Sequence, residues 1–314
     1  MKNKEAEILI KANALNVPLR DETVQCCVTS PPYWGLRDYG VKGQLGAEET
    51  PKDYVSNMVG VFREVRRVLR EDGLLWVNIG DSYIGGGRAG KDGKSYASGI
   101  DGDKINNGCV FGKPTGKIDG YKTKDLAGIP WMTAFALRED GWYLRADIIW
   151  AKPNPMPESV TDRPTKAHEY IFMLSKSPKY YYDAEAVKEK ATSTYRPTDF
   201  IPNSKKDGGA KTSATAASYK NRTTEVRTEN RNRRSVWTFP TQPYAGAHFA
   251  AFPETLPKIC ILASTRVGDI VLDPFGGSGT TTRVATELGR KGVHIDLGYH
   301  ELAKIRCTVT PSMF

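Results

Sequence analysis

The chain has 314 residues, enough for one large domain or for one domain with an insertion. No apolar run reaches the roughly 18 residues that a membrane span needs, and the N-terminal residues lack the apolar core of an export signal. Five cysteines without a C-x-x-C pair argue against a disulfide framework or structural zinc, so we expect no metal and reduced thiols in a cytoplasm. A formal charge of +9 is compatible with a polyanionic partner.

Short apolar runs alternate with helical patterns along the chain. The pattern predicts a single helical turn over 14–20 and a helix over 53–69 that ends at Glu71-Asp72-Gly73. It predicts further helices over 130–138, 258–263 and 280–288, and strands over 7–11, 24–29, 74–79, 144–150, 170–174, 270–272 and 292–295. This alternation is typical of an α/β fold with a mostly parallel sheet and helices on both faces.

Two segments interrupt the alternation. Residues 85–120 hold 11 of the 30 glycines, which predicts a mobile loop over 84–124. Residues 186–235 hold 12 Lys and Arg against 5 Asp and Glu, a net charge of +7. A solvated basic loop explains this charge as well as a nucleic-acid contact does. The core is therefore expected to comprise 1–83, 125–185 and 244–314, with a basic inserted region over 186–243.

A glycine turn follows the predicted strand 270–272. In Asp273-Pro-Phe-Gly-Gly-Ser-Gly279, the glycines Gly276, Gly277 and Gly279 allow a tight turn and the close approach of a ligand to the backbone. The next strand ends at Asp296, near the spacing expected for a carboxylate that accepts from ribose hydroxyls. Phe275 either packs against that ligand or fills the core.

The pattern of a dinucleotide site is absent, because Thr282 stands where the last glycine of G-x-G-x-x-G belongs. One compact turn suffices for S-adenosylmethionine (SAM), which has no pyrophosphate. The segment 85–91 approaches the spacing of a P-loop, but Asp92 occupies the position where a hydroxyl should hold magnesium. An ATPase is therefore a weak alternative.

A second rigid turn, Ser30-Pro31-Pro32-Tyr33, follows the predicted strand 24–29. Two prolines fix φ and remove two backbone donors, which leaves carbonyl acceptors, a hydroxyl and an aromatic ring. Such acceptors can hold an exocyclic amine, and the ring can stack on an extruded base. Considered alone, this turn is better explained as a proline-terminated strand that enters a surface turn, since a Pro-Pro-aromatic sequence is common.

The two turns together closely resemble those of the amino-methyltransferases of DNA in their β-type motif order, with the catalytic motif first and the cofactor motif last. The resemblance covers nearly the whole chain. It implies that SAM binds at Asn13, Phe252, Asp273, Phe275, Gly276, Gly277, Gly279 and Asp296. The family often has Asp where this chain has Asn13. The segment 163–169 resembles a family segment near the catalytic pocket, and we assign His168 and Glu169 no catalytic role.

The resemblance also implies the reaction. Ser30, Pro31, Pro32 and Tyr33 are the expected catalytic residues, and Ser30 favours cytosine N4, since an Asp usually accompanies adenine N6. Cytosine C5 chemistry needs a thiolate, typically from a Pro-Cys pair, and the chain has none. Duplex DNA is the expected partner, with candidate contacts at Lys205, Lys206, Arg231, Arg233 and Arg234. A homodimer, a cognate restriction enzyme and a bacterial, archaeal or phage source are further expectations. The first alternative function is adenine N6 methylation by the same mechanism, and a less favoured one is a non-catalytic DNA-binding regulator.

Overall fold

The computed structural model describes residues 7–36, 43–85, 118–191, 229–242 and 252–308, together with the short strands Arg88–Ala89 and Ser95–Tyr96. The predicted glycine-rich loop and the 85–91 segment lie mostly outside the described residues. The chain divides into two compact units, Met1–Asp183 with Arg234–Phe314, and Ala184–Arg233.

The larger unit is built on an eight-stranded sheet. Its strands are β1 (Glu7–Lys11), β2 (Val24–Thr29), β3 (Leu69–Ile79), β4 (Tyr143–Ala151), β5 (His168–Ser175), β6 (Val236–Thr238), β7 (Ile270–Asp273) and β8 (Lys291–Asp296). Their order across the sheet is β1-β8-β7-β2-β3-β5-β4-β6. Strand β5 is antiparallel to both of its neighbours, and the other adjacent pairs in this sheet are parallel.

Five helices accompany these strands among the described residues: α1 (Pro51–Val68), α2 (Ile129–Glu139), α3 (Thr255–Ser264), α4 (Thr280–Glu287) and α5 (His300–Thr308). The start of α1 shows how the sequence sets a helix end. Thr50 caps it, since its hydroxyl accepts from the Asp53 N–H at 3.1 Å, and Pro51 occupies the first helical position, where no N–H is needed. No helix of the described residues is long and apolar enough to span a membrane.

Helices cover both faces of the sheet because successive strand residues point to opposite sides. In β2, Cys27 belongs to the core that α1 and α2 pack against, whereas the Cys26 thiol lies 3.3 Å from the Ser264 hydroxyl of α3. Trp76 of β3 also faces α3, and its indole N–H donates to Ser264 Oγ at 3.0 Å. The prediction of a mostly parallel sheet with helices on both faces is therefore confirmed.

Three local predictions were wrong. Residues 14–20 form turns without a helix, and the Asn13 side chain accepts from the Leu15 N–H at 3.0 Å, an arrangement that favours a turn. Helix α1 passes directly into β3 at Leu69, without the predicted stop at Glu71-Asp72-Gly73, because Leu69 already pairs with Val24. Strand β6 joins the sheet beside β4, although it falls within the segment 186–243 that we predicted to be inserted.

The smaller unit, Ala184–Arg233, contains a 3-10 turn at Glu185–Val187 and an antiparallel pair formed by Glu189–Lys190 and Asn230–Arg231. The intervening 192–228 lies outside the described residues, and so do Lys205 and Lys206. A role of this segment in target recognition stays a prediction.

Candidate active site

The carboxyl ends of the parallel strands place the two predicted turns at one edge of the sheet. Leu272 of β7 pairs with Cys27 of β2, so the segments that follow these strands start side by side. Lys11 of β1 pairs with Asp296 of β8, which brings the β1 end to the same edge. Ligands of open α/β sheets bind at this edge.

The glycine turn between β7 and α4 is closed by backbone bonds. The Gly276 N–H donates to the Ile295 carbonyl at 2.9 Å, and the Gly279 N–H donates to the Gly276 carbonyl at 2.7 Å. Gly277 and Gly279 have φ of 49° and 81°, in the left-handed region that favours glycine. The turn forms at this place because Gly277 and Gly279 adopt left-handed backbone conformations that other residues reach only with strain.

Gly276 is required for a different reason. A Cβ at this position would lie 2.1 Å from Cδ2 of His294, a fully buried ring whose Nε2 lies 3.1 Å from the Gly277 carbonyl oxygen. The absence of a side chain at Gly276 thus lets the turn pack against β8. We predicted that this glycine serves ligand approach, and the structure adds a packing role.

Asp296 ties the end of β8 to the glycine turn. Its Oδ2 accepts from the Gly277 N–H at 2.9 Å, and its Oδ1 accepts from the N–H groups of Gly298 at 2.7 Å and Tyr299 at 2.9 Å. A carboxylate oxygen has two lone pairs, so Oδ2 keeps the capacity to accept from a ligand hydroxyl.

Hydrogen bonds from neighbouring residues hold the Ser30–Tyr33 turn and the adjacent Trp34 in place. The Tyr54 hydroxyl donates to the Pro32 carbonyl at 3.0 Å. The buried Trp34 donates through its indole to the Glu48 carbonyl at 2.8 Å, and its own carbonyl accepts from the Ser82 hydroxyl at 2.9 Å. Two prolines and these bonds hold the turn in one conformation.

The Tyr33 hydroxyl lies in a polar cluster. It donates to Glu169 Oε2 at 2.6 Å, and the Asn78 side-chain amide donates to the same oxygen at 3.0 Å. Lys152 forms an ion pair with the other carboxylate oxygen of Glu169. The Ser30 hydroxyl lies 3.4 Å from the Tyr33 hydroxyl. Burial, followed by the negative charge of Glu169, raises the pKa of Tyr33 well above its usual range, so this phenol stays neutral.

A cavity of about 780 Å³ joins the two turns within the larger unit, a volume suited to a small-molecule site. The predicted residues on its wall are Asn13, Ser30, Pro31, Pro32, Tyr33, Phe252, Phe275, Gly276, Gly277 and Asp296. Phe275 thus faces the cavity and also packs against the core. Asp273 and Gly279 are absent from the wall: Asp273 is 2% exposed and accepts from the Thr29 hydroxyl at 2.7 Å, and Gly279 precedes α4.

The wall near the glycine turn suits a nucleoside that carries an amino acid. Asp296 offers an acceptor for ribose hydroxyls, and Phe275 offers an aromatic face. Gly276 and Gly277 present backbone without side chains. These groups match SAM, whose hydroxyls, aromatic base and charged amino-acid portion need an acceptor, an apolar surface and an accessible backbone.

Of the described candidate DNA contacts, Arg231 and Arg233 belong to the smaller unit and Arg234 belongs to the larger unit. In the smaller unit, Arg231 pairs with Glu189 at 2.8 Å, and Arg233 donates to the Val187 carbonyl at 2.9 Å. In the larger unit, the Arg234 carbonyl accepts from the indole of Trp237 at 2.8 Å. A role of these three arginines in binding DNA stays a prediction.

Comparison with known proteins identifies the family. Residues 24–305 match the family model of N6/N4 methyltransferases, described as DNA methylase. The chain is 48% identical over 290 residues to the type II methyltransferase M.SmaI of Serratia marcescens, covering 92% of this chain and 85% of the relative. It is 47% identical to M.Cfr9I of Citrobacter freundii, covering 92% and 83%.

Solved structures share the fold. The PvuII DNA methyltransferase, described as cytosine-N4-specific, aligns with a TM-score of 0.62 at 17% identity over 99% of this chain and 91% of its own. M1.HpyAVI in complex with SAM aligns with a TM-score of 0.51 at 15% identity over 96% and 100%. The protein therefore belongs to the SAM-dependent amino-methyltransferases of DNA, as the two turns predicted, and SAM is its cofactor.

Among the polar residues of the cavity wall that the sequence missed, three form the cluster around the Glu169 carboxylate: Asn78, Lys152 and Glu169 itself. Asn78 lies near the end of β3, and Lys152 directly follows β4, so each lies at the edge where site residues were expected. Glu169 lies in the segment that resembles a family region near the catalytic pocket, and that resemblance was the available signal.

Proposed function

We propose that this DNA methyltransferase modifies the N4 amino group of cytosine at specific sites in duplex DNA. The observation that carries the proposal is the Ser30 hydroxyl on the cavity wall, at the first position of the catalytic turn. In the family that the turns resemble, Ser at this position usually accompanies cytosine N4, and Asp usually accompanies adenine N6. The cytosine-N4 description of the PvuII enzyme agrees, although its 17% identity supports only the fold.

The Ser30–Tyr33 turn activates the exocyclic amine of cytosine. The exocyclic amine of cytosine is a poor nucleophile because its lone pair is delocalised into the ring. Acceptors at Ser30 Oγ and the Pro31 carbonyl hold the two N–H bonds and favour the pyramidal, nucleophilic amine. Tyr33 stacks on the flipped base and fixes its plane. SAM supplies the methyl group from its sulfonium, and the rigid turn positions the amine for direct transfer, which lowers the entropic part of the barrier.

The cofactor residues divide by task. Asp296 accepts from the ribose hydroxyls, Phe275 packs against the ligand, and Asn13 bonds the adenine ring. Phe252 helps to hold the methionine portion. Asp273 and Gly279 shape the turn from behind the cavity wall, as their buried contacts indicate.

Recognition of DNA is assigned to the basic segment 186–243. Its net charge suits the phosphate backbone, and Lys205, Lys206, Arg231, Arg233 and Arg234 are the proposed contacts. The names of the curated relatives, type II methyltransferases, support a cognate restriction enzyme and a bacterial cytoplasm as the setting. A homodimer is proposed on family resemblance alone.

The proposal is tested by identifying the product. Unmethylated plasmid DNA is incubated with the protein and SAM labelled in its methyl group, then digested to nucleosides and separated. We expect the label in N4-methyldeoxycytidine. Label in N6-methyldeoxyadenosine alone assigns the same chemistry to adenine and rejects the cytosine proposal. DNA binding without transfer of label would identify a non-catalytic regulator.

A further inference from the structure

The Ser30, Tyr33 and Glu169 side chains form a directional path from the cavity to a carboxylate. The Ser30 hydroxyl donates to the Tyr33 hydroxyl at 3.4 Å, and the Tyr33 hydroxyl donates to Glu169 Oε2 at 2.6 Å. We propose that this path is a proton relay, in which Glu169 receives the proton that the methylated amine loses. The proposal depends on the role given to Ser30 above, that its oxygen contacts the amine.

The surroundings of Glu169 suit an acceptor at the end of such a path. Its described partners, Tyr33, Asn78 and Lys152, all donate to it, so its oxygens serve as acceptors in these contacts. The Glu169 and Lys152 side chains are 16% and 17% exposed, so bulk water competes little for this proton. The 3.4 Å step at Ser30 is long for a hydroxyl pair, and such contacts often shorten when substrate binds.

The proton balance of the reaction requires an acceptor. As the N–CH₃ bond forms, the S–CH₃ bond breaks and the sulfur keeps the bonding pair, so the amine nitrogen carries one proton too many. That proton passes to Ser30 Oγ, the Ser30 hydroxyl proton passes to Tyr33, and the Tyr33 proton passes to Glu169. Each hydroxyl ends neutral, and Glu169 ends as a carboxylic acid that later returns the proton to solvent.

Lys152 is the cationic partner of Glu169. Its ammonium group pairs with Glu169 Oε1 and lies 4.4 Å from the Trp150 ring centroid, which holds it in place. The facing groups are the Tyr33 and Asn78 side chains, Lys166 and His168. Removal of the Lys152 ammonium group takes away the contact that positions the Glu169 carboxylate, so we expect the relay to work more slowly without it.

The first test compares wild type with Tyr33→Phe, which keeps the ring and removes only the relay hydroxyl, and with Glu169→Gln. The single-turnover rate of methyl transfer is measured from pH 5 to 9 on an oligonucleotide that carries the site methylated by the wild type. We expect both variants to be slowed at least about 100-fold at neutral pH, and their rates to rise with pH as solvent replaces the carboxylate. A Tyr33→Phe rate within about threefold of wild type throughout would overturn the relay.

The second test uses Lys152→Met, with Lys152→Arg as the matched control. We expect Lys152→Met to slow methyl transfer and Lys152→Arg, which keeps a cation beside Glu169, to restore most of the rate. A Lys152→Met rate equal to that of the wild type would contradict the role of Lys152. SAM affinity by calorimetry and base flipping by 2-aminopurine fluorescence should be unchanged in Tyr33→Phe, because the ring and the cofactor wall remain. A large loss of either would assign the Tyr33 hydroxyl a role in binding and reject the relay.

The tests of the proton relay can be told apart from the test of the cytosine proposal. If the wild type methylates adenine, the cytosine proposal fails, yet the adenine amine must lose a proton in the same way. The methyl-transfer rates of the Tyr33 and Lys152 variants therefore decide the relay whichever base is the target.

Discussion

The Thr29 hydroxyl donates a 2.7 Å hydrogen bond to the Asp273 carboxylate across 244 residues of sequence. Thr29 is the last residue of β2, before the catalytic turn, and Asp273 is the last residue of β7, before the cofactor turn. Asp273 Oδ1 also accepts from the Phe275 N–H at 3.1 Å. One buried carboxylate thus fastens both turns of the active site to each other.

Thr29→Val is expected to destabilise the protein by about 1–3 kcal/mol, because Asp273 loses a donor to a buried charged group. Burial raises the pKa of Asp273, and the Thr29 hydrogen bond opposes that rise. A raised folded-state pKa means that the stability contribution is present below the unfolded pKa and is lost as the pH rises through the folded pKa.

In Thr29→Val the folded pKa of Asp273 rises further. The loss in free energy of unfolding of Thr29→Val relative to wild type should therefore grow as the pH increases above about 4. Urea unfolding at a series of pH values measures this, with Thr29→Ser as the control that keeps the hydrogen bond and loses a methyl group worth about 1 kcal/mol. If the loss of stability in Thr29→Val does not depend on pH, the substitution does not act through the protonation of Asp273.

Gly80→Ala is expected to disturb catalysis without weakening SAM binding. A Cβ at Gly80 would lie 2.6 Å from Cε2 of Tyr33, so the ring that stacks on the base must shift. A displacement of about 1 Å in a catalytic site can reduce the rate roughly 100-fold. The control is Gly60→Ala within α1, where the added Cβ meets only the flexible end of Leu15. Labelled methyl transfer and SAM calorimetry, run in parallel, measure both effects, and equal losses of rate and affinity would refute this role of Gly80.

Asp296→Asn should weaken SAM binding roughly tenfold or more, since hydrogen bonds to charged groups contribute about 1.5–3 kcal/mol. Asp21→Asn is the control, since Asp21 is exposed and pairs with Arg67. Calorimetric titration with SAM measures the dissociation constant. Affinities of Asp296→Asn and wild type within a factor of two would remove Asp296 from the cofactor site.

Gly276→Ala should destabilise the protein by about 1–3 kcal/mol or prevent folding, because the added Cβ meets the buried His294 ring at 2.1 Å. Gly60→Ala again serves as the control, and there alanine favours the helix by about 0.5–1 kcal/mol. Thermal unfolding without ligand measures the difference. A Gly276→Ala protein as stable as wild type would show that the glycine turn can move away from β8.

The sequence was sufficient to predict the strands that frame the site, because β2 and most of β7 and β8 are buried and appear as short, largely apolar runs. It was also sufficient for both turns, whose glycines and prolines act locally. Strand β6 was missed because it has only three residues, next to a polar, basic segment. Its stability comes from pairing with β4, which no local pattern reports.

Glu169 was missed as a neighbour of Tyr33 for a topological reason. Strand β5 is antiparallel to β3, so its first residues lie at the edge where the parallel strands end, and Ile79 pairs with Tyr170. An entirely parallel sheet would place Glu169 at the opposite edge. The contact between Glu169 and Tyr33, 136 residues apart in sequence, follows from this reversal alone.

The target base is the central claim, and expression in a bacterial host that lacks DNA methylation tests it most directly. Sequencing the host DNA with base-modification detection reports the modified base and its sequence context together. The wild type should deposit N4-methylcytosine at one recurring sequence, and Ser30→Ala should leave the DNA unmodified or nearly so. N6-methyladenine in place of N4-methylcytosine would contradict the assignment that rests on Ser30.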